Sequence, residues 1–287
     1  MSRFTSNSFS SQIVSSFLEG VGVSAPLFAV HRVCDEMLVK LGKKEPPFQS
    51  DKYEYAKLLG VKVIENDIPG DGVLSVFGNT FVIEVRRDAP RWRKTFTVCH
   101  EIGHIQIFKW AAKNSPKRSI ELARSKKAHV DEERLSNLFA ANLIMPRKIF
   151  KARASKLFPS MDSLKILATQ FDASLEATAT RIVDLNVWNC QFLRCAPIKL
   201  LGGGSTIEIH SRPTSSSLLE PLIKNEKYFS HRAAVACVEA AAANAPSVFS
   251  DTLQIARSPS MDTKSWRFEC AGGHLSHGRV LALLVPE

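Results

Sequence analysis

The chain has 287 residues, 45% of them hydrophobic and 23% charged. These proportions are those of an ordinary globular protein with one large or two modest domains, and they exclude wholesale disorder, collagen-like and coiled-coil structure. The formal net charge is +10, and a field of that sign attracts acidic proteins or nucleic acid.

No run approaches the roughly 20 consecutive apolar residues that a membrane span needs. The polar, Ser-rich N-terminus has no apolar core of the signal-peptide kind. Six scattered cysteines without a CxxC pair fit reduced thiols. A soluble, cytoplasmic chain with no membrane partner is expected. The charge is concentrated: from Arg86 to Lys127 twelve Lys and Arg face three acidic residues, which is +9 of the +10. The stretch 86–127 is either an attractor for an acidic partner or DNA, or a solvated loop.

In chain order, residues 1–27 have weak periodicity and read as a loosely ordered lead-in. Leu27 to Leu41 has apolar residues at three- and four-residue spacing and reads as an amphipathic helix before Gly42. Asp51 to Leu59 reads as a short helix ended by Gly60. Three β-like runs follow, at 61–64, 72–77 and 80–85, with Gly78-Asn79 as a two-residue hairpin turn. Helical spacing returns over Arg91–Lys109 and again over Asp131–Phe150, with Pro146 inside or ending the second. Leu164 to Leu185 breaks into two helices around Asp172-Ala173-Ser174, a helix-turn-helix-like segment at 164–186. A change of texture near 190 marks a domain boundary. Beyond it lie strands at 206–210, 266–270 and 280–285 and a helix at 233–243. No internal repeat is visible.

The chemistry concentrates in Thr97-Val98-Cys99-His100-Glu101-Ile102-Gly103-His104. One helical turn separates His100 from His104, so both imidazoles face the same way and reach one ion. Glu101 lies about 100° round the helix, beside the ion, where it takes a proton from a metal-activated water. HExxH on a helix with apolar flanks is the pattern of a zinc hydrolase. A catalytic zinc needs a third protein ligand, and the next helix offers Asp131, Glu132 and Glu133. Spacing does not choose between Glu132 and Glu133, and acids in a first turn also suit the helix dipole.

The segment Phe96–His104, followed by Glu133-x-x-Ser136-Asn137-x-Phe139-Ala140-Ala141-x-Leu143-Ile144-Met145-Pro146, resembles the ImmA/IrrE family of metallopeptidases. Leu59 to Val63 with the strand 80–85 upstream, and Leu167 to Ala177 downstream, extend the resemblance over about residues 28–187. The family pattern implies His100, His104 and Glu133 as zinc ligands and Glu101 as general base. Manganese or iron would also suit these ligand types.

The resemblance implies an α+β fold: a mainly helical, zincin-like metallopeptidase domain with a small β-sheet at 28–187. A C-terminal α/β domain at 190–287, sensor-like by analogy, would follow it. It also implies a zinc endopeptidase that regulates gene expression, in stress responses or mobile elements, by cleaving a DNA-binding transcriptional repressor. The alternatives are a DNA-binding or sensor-type regulator that keeps the fold and acts by contact, and a protein whose metal is structural. Ser136 and Cys99 depart from the family's usual small apolar residues; Ser136 reads as a polar group at the surface and Cys99 as a buried structural thiol. Cys270-x3-His274-x2-His277 has ligand-type residues that would need Cys190 or Cys195 nearby. His31 and His129 are lone histidines.

Overall fold

The computed structural model describes residues 12–42, 53–113, 116–124, 130–199, 205–211, 213–218, 237–239, 248–255, 264–271 and 280–286. It is a mixed α/β structure with small sheets. The chain divides into two compact units, one of residues 2–150 with 170–174 and the other of 151–169 with 175–287.

The first unit begins with α1 (Gln12–Val21), in the segment expected to be a loose lead-in. Val14, Phe17 and Val21 recur at three- and four-residue spacing and are buried, which is the reason this stretch is ordered. Next come α2 (Pro26–Lys40), α3 (Glu54–Leu58), β1 (Lys62–Asn66), β2 (Gly72–Phe77) and β3 (Thr80–Arg86). The strands form one sheet in the order β1-β3-β2, with β1 parallel and β2 antiparallel to β3. The turn is the expected hairpin: Phe77 pairs with Thr80, and Gly78 takes φ +58°. A positive φ at the first turn residue alone is the type II′ pattern, which glycine adopts without steric cost.

Two helices build the core of this unit: α4 (Arg91–Ala111) and α6 (Val130–Ile144). Ile102, Ile105 and Phe108 from the first, and Leu135, Phe139 and Leu143 from the second, are buried together with Phe17. The Phe17 and Phe139 rings meet edge to face at 5.9 Å, fastening α1 to α6. The Tyr55 hydroxyl donates to the Leu143 carbonyl at 3.0 Å and anchors α3. Between α4 and α6 lies α5 (Pro116–Arg124), inside the basic stretch. The helical run expected over 131–150 is two helices, because it stops at Met145-Pro146 and restarts as α7 (Arg147–Ala154). Proline has no N–H to give to a continuing helix, and it biases the preceding residue away from helical geometry.

The second unit holds α8 (Met161–Gln170, up to Thr169), α9 (Leu175–Asp184) and a five-stranded antiparallel sheet. Its strands are β4 (Gln191–Lys199), β5 (Ser205–Ser211), β6 (Val248–Ile255), β7 (Lys264–Ala271) and β8 (Val280–Pro286), ordered β5-β4-β8-β7-β6. The last strand in sequence is therefore central, and its residues Val280 to Leu284 are fully buried. A strand covered on both faces reads as a continuous apolar run rather than an alternating one. Hydrogen bonds tie the helices to the strands in this unit: the Met161 N–H donates to Glu269 Oε2 at 2.6 Å, and Arg194 donates to the Thr180 hydroxyl at 2.9 Å. Of the helix expected at 233–243, residues 237–239 are described and helical.

Among the described residues no single helix is long and apolar enough to cross a membrane.

Candidate metal centre

Gly103 decides how closely α4 and α6 approach. A methyl group at this position would lie 2.9 Å from the Cα of Ser136 and 2.9 Å from the Cβ of Phe139, a separation that real Cβ atoms essentially never show. Only a glycine lets the two backbones pass at this distance. Ser136, expected at the surface, is fully buried at this crossing. Its small side chain is what the gap accepts.

This close packing brings the first turn of α6 against the histidine face of α4. His100 Nε2 and His104 Nε2 are 3.1 Å apart. Glu133 places Oε2 3.3 Å from His100 Nε2 and Oε1 3.4 Å from His104 Nε2. Among the described residues, His100, His104 and Glu133 form the one group of three such side chains close enough to share an ion. Glu101 follows His100 on the same helix and is half-buried.

The far side of each imidazole is occupied as well. Glu132 Oε1 lies 2.7 Å from His104 Nδ1, and Asn137 Oδ1 lies 3.0 Å from His100 Nδ1. An ionised carboxylate only accepts, so His104 donates from Nδ1 and its Nε2 keeps the lone pair directed at the cluster. The Asn137 oxygen does the same for His100. Such outer partners fix ring tautomer and orientation at metal sites. Burial, followed by the neighbouring His104, lowers the His100 pKa, which favours the neutral ring that can bind a cation.

The Glu132/Glu133 ambiguity thus has a geometric answer, since the two adjacent acids point to opposite sides of one imidazole. Glu132 is fully buried, and its part behind His104 was missed from sequence; the doubled Glu at the start of α6 was the available signal. Cys99 is 1% exposed, and burial followed by the charge of Asp172 pushes its thiol up to about 12. It is a buried thiol, as expected.

Other expectations divide. In the basic stretch, Arg86 pairs with Asp71 and Asp88, Arg87 with Asp67, Arg91 with Asp172, Arg93 with Asp71 and Lys94 with Glu65. Its first half is therefore locally neutralised, and the excess charge lies after α4. In the helix-turn-helix-like segment, the one basic residue of α9, Arg181, is buried, so that helix lacks the exposed basic face of a recognition helix. In the second unit the Cys237 thiol hydrogen-bonds with Cys195 and Cys270, which raises its pKa. His129, His274, His277, Lys126 and Lys127 lie outside the described residues.

Comparison with known proteins places this geometry. No curated protein matches the sequence. Among solved structures, a chain named as a Mycobacterium tuberculosis transcriptional regulator aligns with a TM-score of 0.55 and 16% identity, over 96% of this chain and 80% of that one. At that identity the likeness is one of fold. Residues 56–183 match the peptidase family M78, described as the IrrE N-terminal-like domain, and the match includes both helices of the His-His-Glu cluster. Residues 56–183, a little under half of the chain, are thus similar to the IrrE N-terminal-like domain of the M78 peptidases.

Proposed function

We propose that the chain is a zinc-dependent endopeptidase that regulates gene expression by cleaving one specific protein, a DNA-binding transcriptional repressor. The observation that carries this reading is the convergence of His100, His104 and Glu133: the two Nε2 atoms lie 3.1 Å apart, and the Glu133 carboxylate sets one oxygen 3.3 Å from His100 Nε2 and the other 3.4 Å from His104 Nε2. Tetrahedral zinc with bonds of about 2.0–2.1 Å holds its ligand atoms roughly 3.3 Å from one another, close to the separation of the two imidazole nitrogens, and one ligand atom from each of the three residues lies within 4.8 Å of the others. Two imidazoles and one carboxylate leave the fourth position open, as a catalytic site requires. Manganese and iron accept the same donors.

His100, His104 and Glu133 are the proposed ligands. When bound, zinc would bring a water's pKa toward neutrality and polarise a substrate carbonyl. Glu101 takes the proton of the attacking water and delivers it to the leaving amine. Glu132 holds His104 in its donating tautomer and Asn137 holds His100, so both rings are oriented before substrate arrives. The peptidase domain is assigned to residues 28–187, with a zincin-like core, and residues 190–287 to a sensor-like domain in a cytoplasmic regulator. The structural neighbour is named as a transcriptional regulator, which supports a role in gene control.

The test is elemental analysis of wild type and Glu133→Ala, combined with cleavage of candidate repressors by wild type and Glu101→Gln. About one metal ion per wild-type chain, lost in Glu133→Ala, is expected. Glu101→Gln should keep the metal and lose roughly 10²–10⁴-fold in rate, the scale of general-base catalysis. Cleavage by Glu101→Gln at the wild-type rate would sink the assigned mechanism.

A second reading, regulation by contact with DNA, draws on Lys113 and Lys117 beyond the neutralised half of the basic stretch, which have no acidic partner among the described residues. It predicts binding that weakens steeply with salt and is indifferent to Glu101→Gln.

A further inference from the structure

The unneutralised half of the basic stretch surrounds a cavity of about 430 Å³ in the first unit. Lys109 and Lys113 reach it from the end of α4, and Lys117 from the first turn of α5. Leu59, Phe81 and Ile120 give it an apolar wall. Its volume is within the range of about 300–1,000 Å³ typical of small-ligand pockets, and an apolar lining with a few convergent polar groups is their usual chemistry.

Three features of this cavity call for an anion. First, among the described residues no carboxylate pairs with Lys109, Lys113 or Lys117, whereas the basic residues from Arg86 to Lys94 each have one. Lys109 donates to the Leu59 carbonyl at 3.5 Å, and Lys113 lies 5.4 Å from the Trp110 ring centroid. Burial, followed by the nearby charge of Lys40, lowers the Lys109 pKa, so this ammonium sits in a positive and partly dry environment.

Second, the helix dipole accounts for only part of the arrangement. Cations at the carbonyl end of α4 are favourable there, which suits Lys109 and Lys113. The first turn of α5 is the positive end of its helix, yet it has no acidic residue and carries Lys117 and Arg118. Like charges stacked on a positive helix end are unfavourable unless an anion sits against them. Third, Ser119, in that same turn, is 4% exposed and lines the cavity. Among the described residues its hydroxyl has no hydrogen-bond partner.

We propose that this cavity is a binding site for a small amphipathic anion, a carboxylate or phosphate on an apolar body. The charged group lies among Lys109, Lys113, Lys117 and the first turn of α5, and the apolar body lies against Leu59, Phe81 and Ile120. The site uses none of the metal-cluster residues, so it stands whether or not the chain is a peptidase.

The experiment is a fluorescence titration of the full chain with the anionic dye 8-anilinonaphthalene-1-sulfonate, with octanoate and octanol as competitors. The dye should bind at one site, weaken with added salt, and be displaced by octanoate and not by octanol. Lys117→Glu alters an exposed side chain and places an acid where the dipole favours one, so this variant keeps its fold. It should bind the dye about tenfold more weakly, the loss of one charge-assisted contact. Lys109→Met, which keeps the aliphatic stem, should show a similar loss. No dye binding to wild type, equal affinity in both variants, or displacement by octanol as effective as by octanoate would each overturn the proposal.

Discussion

The interface of α4 with α6 and the five-stranded sheet of the second unit are both buried, and they are buried in opposite ways. At the helix crossing, the solvent-protected residues include His104, Ser136 and a fully buried Glu132. In the central strand β8 every residue from Val280 to Leu284 is apolar. Burying an ionisable group without a partner costs several kcal/mol, so evolution tolerates it only where the group is paired or used. The strand gains stability from each side chain, at about 1.5–3 kcal/mol for a fully buried Leu or Val. The helix crossing gives up part of that gain to hold polar atoms in a fixed pattern. His104, with a partner on each side of its ring, has the pattern expected where buried polarity serves chemistry, whereas the buried apolar strand is scaffold.

Substitutions that separate the two kinds of burial sharpen this contrast. The largest stability effect is expected in the sheet: Leu283→Ala should cost about 2–5 kcal/mol by denaturant unfolding, because it opens a cavity that the neighbours cannot fill. Metal content should remain at the wild-type value in the protein that stays folded. The reverse pattern is expected for Glu132→Gln, which keeps side-chain size and removes the charge behind His104. With the proposed ligand set, metal affinity should fall by roughly 10–100-fold in a chelator competition, the scale known for outer partners of ligating histidines. Unchanged affinity would make Glu132 a packing residue and erase the contrast.

The smallest effect concerns pH. Burial raises the thiols of Cys99, in the helical unit, and Cys190, in the sheet unit, to about 12 each, from an ordinary value of 9.0. A raised pKa in the folded state means that the folded chain holds the proton more tightly than the unfolded one. The contribution is therefore complete below about pH 9 and is lost as pH climbs toward 12. Thermal midpoints should be flat from pH 7 to 9 on this account and fall above it. The six cysteines, all buried, should resist alkylation at pH 8 until denaturant is added.

Residue by residue, legibility followed the range of the interaction. The α4 boundaries, the Gly78-Asn79 turn and the break around Asp172 were readable, because each depends on neighbours within a few positions. The first helix was missed because three apolar residues in a Ser-rich segment give a weak signal, and Phe139, far along the chain, supplies what Phe17 packs against. The end of α6 at Pro146 was only half read, since proline announces a break without saying whether a second helix follows. Strands β4 and β6 were missed because they are defined by partners from distant parts of the chain. The basic stretch looked uniform in sequence, yet half of it is neutralised by Glu65, Asp67, Asp71, Asp88 and Asp172.

What the sequence determined alone was the pairing of His100 with His104, because one turn of any α-helix puts positions i and i+4 on the same face. The position of Glu101 beside them followed from the same 3.6-residue period. Tertiary structure alone decided which of two adjacent acids joins them. That choice depends on the rotation of α6 about its axis and on its distance from α4, and both are set by Gly103 against Ser136 and Phe139. A shift of one residue turns a helix by about 100°. That rotation directs Glu133 to the Nε2 atoms of the two histidines and Glu132 to the Nδ1 of His104.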